Sequence, residues 1–169
     1  MMNRRAFVFV SSFLMLSASA FVAAQAASKP KLAASAVQVA MLDAGDIQIP
    51  AEFRYAIYEQ IVEHVKASGA FQKVYRAGDK AAAGVPDLVI LHTKMEGFKE
   101  GSQTVREVTT VFGATTVDIT ASVTSKDGKE LLNKKLTGRV RFFGENLGVT
   151  NDIAKKVTKL VSDAYHPSV

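Results

Sequence analysis

A hydrolytic or group-transfer site needs a nucleophile, a base and an orienting group that converge in space. The 169-residue chain offers three histidines as bases, His64, His92 and His166, and no cysteine as a nucleophile. The periodicity described below puts His64 near the end of a helix, His92 in a strand and His166 in the C-terminal tail. Nothing around them draws them together. Glu63-His64 lacks the second histidine four residues on that a helical zinc motif requires. Glu59 and Glu63 stand one turn apart, as residues on the solvated face of an amphipathic helix do. Asp43, Asp46, Asp79 and Asp87 lack calcium-loop spacing. Gly69, Gly78 and Gly84 form no phosphate cradle, and no serine sits in a G-x-S-x-G elbow. No catalytic residue, metal ligand or cofactor is assigned, and the expectation is a protein that is not an enzyme.

What remains is charge on a surface. Lys126, Lys129, Lys135, Arg139 and Arg141 share the outer side of a C-terminal hairpin and its turn, if the register follows the alternation of apolar residues. Two readings stand side by side. One is a solubilising, edge-protecting charge distribution; the other is a docking face for anionic lipid headgroups, acidic glycans or an acidic protein. Arg106, with Phe112, Gly113, Ala114 and Thr115, marks a second place, either a strand-to-strand corner or a close backbone approach. The formal charge is +5, and +3 once Arg4 and Arg5 are set aside, which is too mild to argue for nucleic acid. The basic set also lacks the interleaved aromatics that stack single-stranded bases.

The elements that position these residues follow from periodicity. Val37, Val39 and Met41 alternate as a strand does. Phe53, Ile57, Ile61 and Val65, widened by Tyr58 and Val62, make a helical stripe over Ala51 to Ser68. Pro50 suits its first turn and Gly69 its left-handed end. Phe71 to Tyr75 reads as a short strand. Leu88 to Leu91 is a continuous apolar run, which predicts a central strand covered on both faces and extending to Phe98. Residues 105–111 form a further strand or an arm. Val117, Ile119, Ala121 and Val123 alternate into the Asp127-Gly128 turn, and Leu132, Leu136, Val140 and Phe142 return on the same face, with Lys134 the exception. Asn151 is the expected cap of a last helix, whose stripe is Ile153, Val157, Leu160, Val161 and Ala164. Two amphipathic helices on one face of a mixed, mostly antiparallel sheet give a two-layer α+β sandwich.

The N-terminus reads as a cleavable export signal: Arg4-Arg5, an uncharged stretch from Ala6 to Val22, then Ala24-Gln25-Ala26. Cleavage is expected after Ala26, or else after Ala20, and the arginine pair also fits twin-arginine export. Residues 27–36 are then a flexible linker, 37–166 a single domain and 167–169 a tail. The chain has no cysteine, so neither a disulfide nor a lipid-acceptor thiol is available. The mature chain is expected in the periplasm or outside the cell, peripheral to a membrane at most.

The run Gly69-Ala70-Phe71, Pro86-Asp87-Leu88-Val89-Ile90, Arg106, Gly113, the Val117–Val123 strand, Asp127-Gly128-Lys129 and the closing helix together resemble a bacterial exported family, domain of unknown function 4410. That resemblance spans about residues 36 to 165. It implies an α+β envelope domain with no established reaction or binding site, so no functional residue is carried over. Many members are lipoproteins, and the absence of cysteine here departs from them. The functional expectation is a non-enzymatic periplasmic accessory domain that binds another envelope component, protein or lipid. The alternative is a binder or carrier of a small anionic ligand, lipid headgroup or glycan on the basic hairpin face.

Overall fold

The computed structural model describes residues 32–101, 114–140 and 148–167. The apolar stripe of the first helix becomes α1 (Ala51–Ala67), with Phe53, Ile57, Tyr58, Ile61, Val62 and Val65 all buried. Pro50 precedes it, and its carbonyl accepts from the backbone N–H groups of Phe53 and Arg54 at 3.1 and 3.3 Å, which starts the helix without a side-chain cap. The helix ends where Gly69 takes φ +64°, the left-handed conformation that a side chain with Cβ resists.

Strands β1 (Leu32–Ala34), β2 (Ala36–Val39), β3 (Lys73–Tyr75), β4 (Leu88–Lys99), β5 (Thr115–Ser125) and β6 (Glu130–Val140) precede the last helix, α2 (Gly148–Ala164), and β7 (Tyr165–Pro167). A 3-10 turn, Lys80–Gly84, lies between β3 and β4, capped by Asp79, whose carboxylate accepts from the N–H of Ala81 at 2.9 Å. The main sheet has the order β3-β2-β4-β5-β6. β2 runs parallel to both neighbours, and β4, β5 and β6 are antiparallel. The expected two-layer α+β arrangement is what forms. Side chains from α1, from α2 (Val149, Ile153, Ala154, Val157, Val161) and from the inner rows of β2, β4 and β5 make one continuous core. Full burial of each such aliphatic side chain is worth about 1.5–3 kcal/mol.

Four details depart from the sequence reading. The segment expected to be a flexible linker as far as Ala36 is ordered from Leu32 on, because β1 pairs in parallel with β7, Leu32 opposite Tyr165 and Ala34 opposite Pro167. Asn151 does not cap α2. The helix starts three residues earlier, and the Asn151 side-chain oxygen meets His64 Nε2 of α1 at 2.8 Å instead. β4 is covered on both faces only at its start, where Ala82 of the 3-10 turn packs on Leu88 and Ala36. Finally, β4 carries a bulge at Glu96: Met95 opposes Ile119 but Gly97 opposes Asp118. The extra residue turns Phe98 inward, where its ring meets Phe53 edge-on at 5.4 Å, and turns Lys99 outward. Residues 1–31, 105–111 and Phe142 lie outside the described residues, so the export signal and the extra strand or arm do too.

Candidate interaction surface

Both helices pack on one side of the sheet, so among the described residues nothing covers the other side beyond the 3-10 turn. The period of two fixes what lies there. From β4 come His92, Lys94, Glu96 and Lys99, and from β5 Thr116, Asp118, Thr120, Ser122 and Thr124. From β6 come Asn133, Lys135, Thr137 and Arg139. These side chains bond to one another, three times across strands and once along β6. His92 Nε2 meets Thr124 Oγ1 at 3.1 Å, and Thr120 donates to Glu96 at 2.9 Å. Thr137 donates to Asp118, and Asn133 donates to Glu130 at 2.8 Å. The result is a hydroxyl-rich surface on which Glu96, Asp118 and Glu130 each accept one of these bonds and remain anionic.

The basic residues expected to share this face divide into two sets. Lys135 and Arg139 are on the open face, opposite Thr120 and Thr116. Lys126 and Lys129 sit in the hairpin turn, where Gly128 adopts φ +86° and its N–H reaches the Ser125 carbonyl at 3.0 Å. Lys126 Nζ donates to the Ala83 carbonyl of the 3-10 turn. Ser125 donates to Asp127 and, with that residue's own backbone N–H, holds its carboxyl below the usual range, so the turn carries a persistent anion among its cations. Nine residues of extended chain, about 30 Å, separate Glu130 beside the turn from Arg139. Arg106 and Arg141 lie outside the described residues.

Two cations that the sequence reading passed over join the open face, Lys94 and Lys99 of β4. Lys94 was legible: after Leu91 the chain alternates His92-Thr93-Lys94-Met95-Glu96, a half-exposed pattern. Lys99 was not, because its outward side depends on the Glu96 bulge.

The histidines do different things. His64 bridges α1 to α2, His92 is part of the open face, and His166 lies in β7. Among the described residues no three His, Asp or Glu side chains gather as metal ligands do. Glu59 and Glu63 pair with Arg76 at the end of β3; its hydrogen bond holds the Glu59 carboxyl below the usual range. A cleft of about 440 Å³ lies elsewhere, between the β2–α1 loop and α1, lined by Met41, Ile47, Ile49, Arg54 and the exposed Tyr55.

The solved structures most similar to this architecture include the PelC dodecamer of Paraburkholderia phytofirmans, with TM-score 0.60 and 16% identity over 81% of this chain and 93% of that one. The fold is similar to that of PelC. A variant of the same protein matches with TM-score 0.59 and 16% identity, over 80% and 92% of the two chains. A Xanthomonas campestris protein of the family called domain of unknown function 330 follows at TM-score 0.49 and 13% identity, over 79% and 82%. No family profile matches the chain, and no curated protein does. The resemblance to domain of unknown function 4410 therefore stands without a matching profile. Among the described residues no helix is long and apolar enough to cross a membrane.

Proposed function

We propose that this is a non-enzymatic accessory domain, exported to the cell envelope, that docks another envelope component on the open face of its sheet. The observation that carries it is the cross-strand bonding of that face: His92 to Thr124, Thr120 to Glu96 and Thr137 to Asp118 hold a polar surface in place before any partner arrives. A surface set in advance loses less rotamer freedom on binding. The export signal of the sequence supports the compartment. The test is capture of the protein from cross-linked envelopes, with bound material identified. Ser122 is half-buried at the centre of the face, opposite His92 and Asn133. The expected result is one reproducible partner with the native protein and its loss with Ser122→Trp, while Lys155→Ala on exposed α2 surface retains it. Equal capture by both variants, or turnover of a substrate that disappears in His92→Ala, overturns the reading.

A second reading, assembly of several copies, is favoured by the fold shared with a dodecamer. Strand pairing is a poor route to it. β3 is three residues long, and α2 occupies the C-terminal end of the β6 edge: Asp152 Oδ2 accepts from the Arg139 N–H and Lys156 donates to the Thr137 carbonyl, at 2.8 and 2.7 Å. Lys134 adds a charge on the inner side of that edge, a known device against edge pairing. Tyr55, 60% exposed at the rim of the cleft beside α1, is the better anchor. Light scattering is expected to give a multiple of the 18.2 kDa chain mass, less any cleaved signal, and a single-chain mass for Tyr55→Ser. A single-chain mass for the native protein removes this reading.

A further inference from the structure

The register of the open face pairs its cations around threonines. Lys94, Thr120 and Lys135 lie directly across from one another on β4, β5 and β6, and so do Lys99, Thr116 and Arg139. Strands about 4.8 Å apart put the two cationic backbones of each row roughly 10 Å apart, and the four residues from Thr116 to Thr120 set the rows about 13 Å apart along the strand. Among the described residues, none of these four cations is in an ion pair. Glu96 and Asp118, between the rows, accept from Thr120 and Thr137 and keep their charge, so the four cations leave the face with a net excess of two positive charges.

We infer that these two rows bind a linear acidic polysaccharide, laid across the open face with carboxylates on the cations and hydroxyls on the threonines. The inference rests on the open face being the docking surface and names what docks there. A small anion could reach only one row, whereas a polymer engages both, and the second contact is made at high effective concentration. The alternative polyanion, an anionic bilayer, is held by peripheral proteins through inserted apolar side chains as well as charge. Among the described residues, the exposed large apolar ones, Leu32 and Tyr55, are both off this face.

The test uses the purified protein with polygalacturonate, with neutral dextran, and with vesicles of equal parts phosphatidylglycerol and phosphatidylcholine. Polygalacturonate is expected to bind and dextran not, with affinity falling as salt rises. Lys94→Gln with Lys135→Gln is expected to weaken binding about tenfold, the combined worth of two exposed charge contacts. Lys126→Gln with Lys129→Gln, in the turn, is expected to change it less than about twofold. Thermal melting checks the fold, and Lys99→Gln with Arg139→Gln gives an independent reading from the other row. Tighter binding to the vesicles than to polygalacturonate overturns the inference, as does binding indifferent to both row variants. A captured protein lost with Ser122→Trp, together with no polygalacturonate binding, overturns this inference and leaves the docking reading standing. Polygalacturonate binding that fails with the row variants, together with capture indifferent to Ser122→Trp, leaves this inference standing and removes only the docking of a captured protein at the centre of the face.

Discussion

Replacing Gly138 by alanine is expected to cost the domain about 2–3 kcal/mol, the penalty of overpacking a well-packed contact. A Cβ at this position would lie 2.9 Å from Cβ of Ile153 and 3.3 Å from both the Ile153 nitrogen and the Val149 carbonyl oxygen. All three belong to α2 or are fixed by its backbone, so no side-chain rotation relieves the contact. The helix has to move off β6. That motion also pulls Asp152 from the Arg139 N–H and Lys156 from the Thr137 carbonyl, unsealing the sheet edge. Thermal denaturation followed by circular dichroism should drop by about 5–10 °C, given the size of the domain. Gly97→Ala is the control. Its added Cβ meets only the Asp118 side chain, no nearer than 3.4 Å, so the change should stay within about 0.5 kcal/mol. Coincident melts of Gly138→Ala and the native protein would show that β6 and α2 are not packed this closely.

Gly138 also shows what the sequence could and could not reveal. A glycine inside an alternating strand announces a close backbone approach, but the element that approaches lies eleven or more residues on. The stripes of α1 and α2 were legible because a period near 3.6 needs no partner to be recognised; so was β5, through strict alternation before Asp127-Gly128, and β6 through an alternation that Lys134 interrupts. β1 and β7 were hidden because three residues carry no period, and their ordering comes from pairing the two ends of the domain. Asn151 was misassigned for a related reason. An asparagine at the start of an apolar stripe has the look of a cap, and its partner His64 is 87 residues away in the chain. The open face was half visible. Lys135 and Arg139 follow from alternation, whereas Lys99 depends on a bulge that only the β4–β5 register discloses.

The two sides of β4 make the sharpest contrast that the fold allows between neighbouring residues. Leu91→Ala is expected to destabilise the domain by about 2–5 kcal/mol, because a buried leucine loses its transfer free energy and leaves a cavity. Leu91 has no solvent exposure and lies between Val39 of β2 and Val123 of β5, under the helices. His92→Ala, one residue on, removes an exposed side chain and its 3.1 Å contact with Thr124, and should change stability by no more than about 0.5 kcal/mol. Urea denaturation separates the two through the transition midpoint, with the slope unchanged if the native surface is unchanged. Comparable losses from both substitutions would mean that the outer side of β4 is covered, leaving no open face for a partner. A large loss at Leu91 with a neutral His92 leaves the outer side of β4 beyond Leu88 without a packing duty at its centre, which is what allows its polar side chains to serve a partner instead of the core.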